Sequence, residues 1–330
     1  MKVFNTLSGK KENLVPIEEN KIKMYVCGMT VYDDTHIGHA RTFISFDLIV
    51  RYLRSINYEV HYIRNITDVD DKIIARAEEL NISPKELTEK YIDSMNEDFI
   101  SLGMIEPDSE PRATDNIDSI ISLIEILIEK GHAYEGDSDV YFSAESFDSY
   151  GKLSRRNLED MLAGARVDVD TDKKNPADFV LWKKNTEGLK WDSPWGAGRP
   201  GWHIECSAMS MDALGETFDI HGGGSDLKFP HHENEIAQSE CVTGKEFAKV
   251  WMHTGSLRID KEKMSKSLKN FVTIKDALEI NSPEVLRLFL ISSHYRSPLN
   301  YSEVGLNEAK NSLDRLYNSL HDLDYETKEY

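Results

Sequence analysis

"KMYVCGMTVYDDTHIGHA" (residues 23–40) predicts a strand that stops at a glycine, a loop of turn-forming residues and the start of a helix. We expect the helix to begin near His36, with Thr35 or Asp34 as its N-cap, and to be largely buried because apolar residues recur along it at helical spacing. "YEVHYIRNIT" (residues 58–67) predicts a second strand. A strand, a helix and a strand in this order indicate parallel strands, so the sequence predicts an α/β fold with an open parallel sheet.

The chain changes character several times beyond this unit. Residues 71–103 and 116–134 predict helices, and about 135–200 predicts an inserted irregular or β-rich segment. "WHIECSAMSMDAL" resumes helical character, "TFDIHGGG" predicts a short strand before a glycine turn, and "AKVWMHTG" predicts a further strand. Residues 303–320 predict an amphipathic helix. The sequence lacks GxGxxG, so the usual dinucleotide fingerprint is absent.

The composition bounds the class of protein. A net charge of -19 over 330 residues argues against indiscriminate nucleic-acid binding but leaves room for a local basic patch. The three cysteines, Cys27, Cys206 and Cys241, do not form a disulfide framework. The start lacks the apolar core of a signal peptide, and the most apolar helical stretch is too short to span a membrane. We therefore expect a cytoplasmic protein without a membrane partner.

"HIGH" places His36 and His39 three residues apart at the start of the first predicted helix. They share a face near free backbone N–H groups at the positive helix end, which suits phosphates. Gly38 has no β-carbon, so a base or ribose can lie against the backbone there. These residues indicate a nucleotide at the carboxyl end of the first strand. Two histidines that only cap the helix or face solvent are the alternative.

"KMSKS" places Lys263 and Lys266 three residues apart on a serine-containing loop. Two ammonium groups on such a loop suit a leaving pyrophosphate, since they can move in as charge develops. A solvated basic loop is the alternative for this stretch alone.

HIGH early and KMSKS late, separated by an insertion, resemble the signature pair of class I aminoacyl-tRNA synthetases. Four further stretches resemble the cysteinyl-tRNA synthetase family: "MYVCGMTVYDDTHIGHART", "RPGWHIECSAM", "FDIHGGGSDLKFPHHENEIAQSE" and "RNITDVDDKIIARA". The resemblance runs from about residue 3 to about residue 302.

The resemblance implies a Rossmann-like parallel-sheet catalytic domain that is split by an insertion. Residues 1–115 would hold its first half, 116–200 a connective insertion, 201–255 the second half, 256–302 the KMSKS and stem-contact region, and 303–330 the start of a helical bundle. Family members continue into an anticodon-binding domain, and this sequence ends at Tyr330. If tRNA charging needs anticodon contacts, we expect efficient cysteine activation and poor tRNA charging.

"FPHHENE" (229–235) contains two histidines and two glutamates. Pro230 should start a turn of helix, and residues four apart then share a face, which pairs His231 with Glu235 and points His232, Glu233 and Asn234 elsewhere. The pattern is not HExxH, so a metalloprotease is excluded.

Zinc favours cysteine and histidine, with carboxylate as a further option. The residues alone do not show which groups meet in space. The resemblance implies that Cys27, Cys206, His231 and Glu235 hold one zinc ion, and that this zinc selects the thiol of cysteine. An apolar pocket alone distinguishes similar substrates weakly, because one methylene changes the free energy of binding by about 1–3 kcal/mol. A zinc that only stabilises the fold is the alternative.

Other roles follow from the resemblance. Trp202 would close over the bound cysteine, with core packing as its alternative, and Thr67 and Asp226 would contact the α-amino and nearby groups. His221 and the glycines 222–224, which include Gly222 and Gly223, would lie on the adenosine side, where His36, Gly38, His39 and Lys266 also contribute to ATP binding.

The implied partners are ATP with Mg2+, L-cysteine and tRNA(Cys), and we expect a monomer. Cysteine carboxylate attacks the α-phosphorus of ATP, giving cysteinyl-adenylate and pyrophosphate, and the terminal 2′-hydroxyl of tRNA then takes the acyl group. His36, His39, Lys263 and Lys266 would stabilise the phosphate charge. The alternatives are a mycothiol-pathway-like ligase that passes cysteine to glucosaminyl-inositol, a shortened paralog that only activates cysteine, and a zinc-binding scaffold without catalysis.

Overall fold

The computed structural model of the chain describes residues 1–156, 172–185, 188–259 and 271–321, together with the backbone of 262–263. The chain forms two compact units. Unit 1 contains residues 1–33, 49–92 and 106–253, and unit 2 contains residues 34–48, 93–105 and 254–330.

The described residues form short strands and mostly short helices. The strands are β1 (Lys2–Asn5), β2 (Lys10–Asn13), β3 (Lys21–Val26), β4 (Glu59–Arg64), β5 (Ala133–Glu135), β6 (Asp139–Phe142), β7 (Phe179–Lys184), β8 (Gly198–Pro200), β9 (Phe218–Gly224), β10 (Ala248–Thr254), β11 (Leu257–Ile259), β12 (Glu262–Lys263) and β13 (Leu299–Tyr301). The helices are α1 (Ile37–Ser55), α2 (Asp71–Leu80), α3 (Pro84–Ser101), α4 (Ile117–Glu129), α5 (Trp202–Leu214), α6 (Glu233–Thr243), α7 (Ile274–Ile280), α8 (Pro283–Ile291) and α9 (Glu303–Leu320).

The main sheet of unit 1 has the strand order β10-β9-β3-β4. β3 pairs parallel with β4, with Met24 opposite Tyr62, and parallel with β9, with Met24 opposite Ile220. Met24, Tyr25 and Val26 in the second half of β3 are buried, as residues of a strand covered on both faces are. The predicted α/β fold with a parallel sheet is confirmed.

A second, antiparallel sheet of unit 1 has the order β5-β6-β7-β8. Its apolar residues form one cluster with residues of α4, α5 and α6, including Leu127, Trp182, Ile204 and Ala237. The β-rich character expected for residues 135–200 is therefore observed in the described part of that stretch. The same cluster fixes α5 and α6, which carry most of the candidate site.

The helical stretch expected over residues 71–103 is two helices. Asp70 caps α2, since its side chain accepts the N–H of Lys72 at 2.8 Å, and Asn81 ends the helix with a left-handed backbone (φ 55°). An amide side chain tolerates this conformation better than most residues, so the chain can turn here and begin α3 at Pro84.

Unit 2 combines the small sheet β12-β11-β13 with short capped helices. Thr273 and Asp276 form a capping box at α7, and Ser282 caps α8 just before a proline. On α9, Leu306 and Ala309 are buried but Leu316 is 55% exposed, so only part of the predicted apolar side packs within the described structure. Among the helices in the described ranges, none combines the length and the apolar character that a membrane crossing requires.

Candidate metal centre and substrate site

Each predicted metal ligand is placed by a different local feature of unit 1. Cys27 follows β3, and its N–H donates to the Gly222 carbonyl of β9 at 3.0 Å. Cys206 lies in α5, His231 lies in the turn before α6, and Glu235 lies in the first turn of α6. All four side chains are buried. The parallel sheet and the two helices thus bring together groups that are far apart in the sequence.

The ligand atoms of these four residues lie within 4.8 Å of one another. Cys27 Sγ is 3.7 Å from Cys206 Sγ and 3.5 Å from Oε1 of Glu235. The same Oε1 is 3.1 Å from Nε2 of His231. Tetrahedral zinc, with bonds of about 2.0–2.3 Å, would hold its ligand atoms roughly 3.3–3.8 Å apart. The observed separations come close to these values, so the four residues fit a zinc ion.

A second set of ligand atoms, from Cys27, His221, His232 and Glu235, also lies within 4.8 Å. His221 Nε2 bonds to Oε2 of Glu235 at 2.7 Å, and His232 Nε2 is 3.9 Å from Oε1 of Glu235. The two sets share Cys27 and Glu235, so they are alternative ligand sets around the same two residues. The expectation that His232 points away from the metal ligands is wrong.

The local backbone explains why helical spacing predicts the wrong direction for the side chain of His232. Residues Lys228–His232 form a wide turn, Phe229 has an extended backbone (φ -147°, ψ 131°), and the regular helix begins at Glu233. The helix expected from Pro230 thus begins three residues later. An argument from a period of 3.6 residues does not apply to a side chain in this turn.

Hydrogen bonds on the far side of each imidazole orient the two neighbouring histidines. Nδ1 of His231 bonds to Nδ1 of His203 at 2.9 Å. Nδ1 of His232 bonds to Nε2 of His253 at 2.9 Å, and Nδ1 of His253 bonds to the Thr6 hydroxyl at 2.9 Å. Such outer partners fix ring orientation and tautomer at metal sites. Both Nε2 atoms are left on the side of Glu235.

Burial controls the protonation of the centre in the absence of a cation. It raises the pKa of the Cys27 thiol well above its usual range, and Cys206 and Glu235 raise it further. For Cys206, the hydrogen bond with Cys27 lowers the pKa, but burial and Glu235 together leave it raised. Burial also lowers the pKa of His231 well below its usual range. Uncharged thiols and imidazole next to a buried carboxyl form a donor set that a divalent cation would convert to thiolate ligands.

Acid should destabilise the protein through its buried histidines, and His253 tests this. Burial, with His221 and Lys228, lowers the pKa of His253 to about 3, against a usual value near 6.5. The unfolded chain therefore binds the proton more tightly, so stability is present above about pH 6.5 and is lost as pH falls towards 3. His253→Gln should reduce the slope of unfolding free energy against pH by ~1.4 kcal/mol per pH unit between pH 6 and 4.5. Urea unfolding at several pH values measures this slope for the wild type and the variant. An unchanged slope between pH 6 and 4.5 would contradict the prediction. Above pH 8 the slopes of the two proteins should agree.

The structure gives Gly223 a packing reason that the sequence did not reveal. A β-carbon at Gly223 would lie 2.8 Å from Cε1 of His232, so the bare backbone makes room for this ring. His221 is fully buried and stacks on Trp251, with centroids 4.3 Å apart. The assignment of His221, Gly222 and Gly223 to the adenosine side stays a prediction, and the side chain of His221 lies in the second ligand set.

The predicted substrate residues occupy different surroundings. Trp202, the first residue of α5, is 39% exposed and stacks on His231 with centroids 4.2 Å apart. This exposure contradicts the core-packing alternative for Trp202. Thr67, just after β4, is buried, whereas Asp226 is exposed in the turn after β9 and belongs to neither ligand set.

The structure corrects the N-cap of α1, in unit 2. The Thr35 hydroxyl donates to the Asp98 carboxylate. Nδ1 of His36 accepts the N–H of His39 at 3.1 Å, and Nδ1 of His39 accepts the N–H of His36 at 3.4 Å. The two rings stack 3.5 Å apart. The N-cap is therefore His36, because the threonine hydroxyl is used elsewhere, and the pair forms a reciprocal cap like a capping box.

This reciprocal cap sets the tautomers of the two histidines. Since each Nδ1 accepts a backbone N–H, each Nε2 must carry the ring proton when the imidazole is neutral. Burial, and then His36, lowers the pKa of His39 well below its usual range, so His39 is neutral near pH 7. The pair can present N–H donors at the positive end of α1. Gly38 is the second residue of that helix.

The KMSKS lysines are not placed by the structure. Lys266 and the side chain of Lys263 lie outside the described residues, although the backbone of Lys263 belongs to β12. Their roles stay predictions.

Glu233 has a role that the sequence analysis did not anticipate. Its carboxylate is fully buried and accepts the N–H groups of Gly151, Leu153 and Ser154 at 3.1, 3.2 and 2.6 Å. It therefore anchors residues 151–154 to the start of α6. Only contacts distant in sequence reveal this role.

Glu205 is a second buried carboxyl that the sequence analysis passed over. Burial raises its pKa well above the usual range, and Asp68 and Asp70 raise it further. It lies between Trp202 and Cys206 in a helix whose residues are otherwise mainly apolar or small. A charged residue directly beside apolar Ile204 and Cys206 was the available signal.

Comparisons with known proteins identify the class of the fold. A family model described as the catalytic domain of class I (C) tRNA synthetases matches residues 13–311. Among solved structures, the fold is similar to Mycobacterium tuberculosis methionyl-tRNA synthetase in complex with methionyl-adenylate, at TM-score 0.71 and 15% identity over 94% of this chain and 74% of that one. An Agrobacterium radiobacter LeuRS–tRNA–LeuAMS complex matches at TM-score 0.66 and 11% identity, covering 94% and 73%. The fold is thus that of class I aminoacyl-tRNA synthetases.

Curated relatives narrow the class. A cysteine–tRNA ligase of Marinomonas sp. (strain MWYL1) is 60% identical over 97% of this chain and 70% of its own length. A cysteine–tRNA ligase of Hahella chejuensis is 58% identical over 98% of this chain and 70% of its own length. The chain belongs to the cysteine–tRNA ligase family, and it spans about 70% of the length of these relatives.

Proposed function

We propose that the chain activates L-cysteine with ATP to cysteinyl-adenylate and transfers the cysteinyl group to the 3′ end of tRNA(Cys). A zinc ion held by Cys27, Cys206, His231 and Glu235 would select the substrate thiol. The observation that carries this proposal is the buried cluster of four donor residues, in which three pairs of donor atoms lie 3.1–3.7 Å apart, as suits tetrahedral zinc.

Zinc, when bound, would accept the thiolate of cysteine as a further ligand and would bind the serine hydroxyl poorly. The residues of the chain arrange this selection. His203 and Glu235 orient His231, and the indole of Trp202 stacks on the same imidazole at the exposed end of the site. This stacking supports a role for Trp202 in covering bound cysteine. Thr67 and Asp226 are proposed contacts to the amino group and its surroundings.

The phosphate chemistry is assigned to unit 2. The carboxylate of cysteine forms a bond to the α-phosphorus of ATP, and pyrophosphate leaves with the electron pair of the broken bond. His36 and His39 would donate Nε2–H hydrogen bonds to phosphate oxygens, and their reciprocal cap supports this because it fixes that tautomer. Lys263 and Lys266 are proposed to stabilise the leaving pyrophosphate, with Mg2+ on ATP.

The predicted five-segment organisation, the cytoplasmic location and the monomeric state are part of the same proposal. They rest on the motifs of the sequence and on membership of the family.

Cysteine-dependent exchange of pyrophosphate into ATP tests the function. The zinc-loaded chain should catalyse exchange with cysteine and should reject serine by on the order of 10³-fold, well beyond the ~10–200-fold that an apolar pocket gives for one methylene. Charging of tRNA(Cys) measured on the same sample tests the second step. Exchange that proceeds without cysteine, or an amide product on adding glucosaminyl-inositol, would contradict the proposal.

A further inference from the structure

Glu205 is a fully buried carboxyl in α5. It is 0% exposed, and neither of its oxygens forms a hydrogen bond within the described parts of the chain. Burial of an unpaired polar group is unfavourable, and native proteins satisfy the great majority of such groups. A carboxyl in this state indicates a missing partner that carries N–H or O–H donors.

The neighbouring carboxyls of unit 1 do not share this condition. Asp68 accepts the N–H of Thr114 at 3.0 Å and also the hydroxyl of that residue, and Asp70 accepts the N–H of Lys72 at 2.8 Å as the cap of α2. Among the described residues, the charged groups named beside burial as raising the pKa of Glu205 are these two aspartates, and both are acidic. The surroundings of Glu205 therefore favour a cation. Asp68 and Asp70 already accept hydrogen bonds, so Glu205 is the carboxyl of these three that is available to bind this cation.

The position of Glu205 on α5 relates it to the substrate site. Residues three or four apart on a helix share a face, so Trp202 lies on the same face as Glu205 and Cys206. Along this face the indole is exposed, and the carboxyl and the thiol are buried. The hydroxyl of Thr67, a proposed contact of the substrate amino group, lowers the pKa of Glu205, although the two side chains do not meet the distance and angle of a hydrogen bond. Glu205 belongs to neither set of metal ligands.

We propose that Glu205 is a positioning residue that receives the α-ammonium group of cysteine, directly or through the Thr67 hydroxyl. This inference rests on the proposed function, because it takes cysteine as the ligand. The thiol of that ligand would lie at the metal centre beside Cys206, and its ammonium group would supply the cation and the donors that the carboxyl lacks. Fixing both groups would orient the substrate carboxylate for attack.

The binding of three thiol ligands separates the contribution of the ammonium group to affinity from the contributions of the thiol and the carboxylate. Cysteine has thiol, ammonium and carboxylate; cysteamine lacks the carboxylate; 3-mercaptopropionate lacks the ammonium. Binding of each to the zinc-loaded protein is measured by isothermal titration calorimetry for the wild type, Glu205→Gln and the control Asp70→Asn. Glu205→Gln should weaken cysteine and cysteamine by about 10- to 100-fold, the range for a hydrogen bond to a charged group. It should leave 3-mercaptopropionate and the zinc content unchanged.

The control and a second variant keep the result interpretable. Asp70→Asn preserves a helix cap and leaves both Glu205 oxygens in place, so it should change the three affinities far less than Glu205→Gln does. If Glu205→Gln does not fold, Glu205→Asp retains the carboxyl at a shorter reach and should show the same ligand pattern at smaller size. Equal weakening of all three ligands, or none, would overturn the proposal. Failure of the proposed function itself would show differently, as a wild type that binds none of the thiols.

Discussion

Replacing Cys206 with serine is expected to remove bound zinc and to slow cysteine-dependent pyrophosphate exchange by on the order of 10²-fold or more. Losing even an outer partner of a metal ligand costs about 10–100-fold in affinity or activity. Cys206 Sγ lies 3.7 Å from Cys27 Sγ, as a direct member of the proposed ligand set. A serine hydroxyl replaces it poorly because zinc prefers thiolate. Metal analysis after dialysis, with about one zinc per wild-type chain, and exchange assays measure both effects.

Cys241→Ser is the matched control for this experiment. Cys241 packs in the apolar cluster of unit 1, away from either ligand set, and burial raises its pKa to about 12. The control should retain zinc and activity. His232→Asn distinguishes the two ligand sets, since His232 belongs only to the second and Cys206 only to the first. Full zinc and an unchanged rate in Cys206→Ser, with both lost in His232→Asn, would make the second set the metal centre.

The sequence could predict the elements of the fold because hydrophobic periodicity is local information. The strand before Cys27, the strand before Thr67 and the helix "WHIECSAMSMDAL" all follow from patterns within a few residues, and the last matches α5 from Trp202 to Leu214. Parallel pairing of β3 and β4 follows from their connection through a helix. These inferences need no knowledge of distant contacts.

The site depends on contacts that local patterns do not encode. Cys27 and Cys206 are 179 positions apart, and only family resemblance joined them before the structure showed their sulfur atoms side by side. His232 was misplaced because it precedes the regular helix. The cap of α1 was misassigned because Thr35 donates to Asp98, a residue in a different helix. In each case a tertiary contact overrides the local preference.

Replacing His36 with asparagine should slow pyrophosphate exchange by on the order of 10²–10³-fold, the cost of removing one donor aimed at developing charge. The amide oxygen of asparagine can take the place of Nδ1 and accept the N–H of His39, which His36 accepts at 3.1 Å. Asparagine is a favourable N-cap, so the helix should keep its stability. It has no donor at the position of Nε2, and the loss should therefore fall on the rate alone.

Glutamine at the same position should have the opposite effect, retaining activity and losing stability. Its longer side chain can bring an amide N–H near the position of Nε2, but it leaves the N–H of His39 without its present acceptor. His36→Gln should retain more activity than His36→Asn and lose ~1 kcal/mol of unfolding free energy, as for loss of an N-cap. Exchange rates and urea unfolding of both variants test this. An active asparagine variant with an inactive glutamine variant would assign the catalytic contact to Nδ1, and two fully active variants would leave His36 with the capping role only.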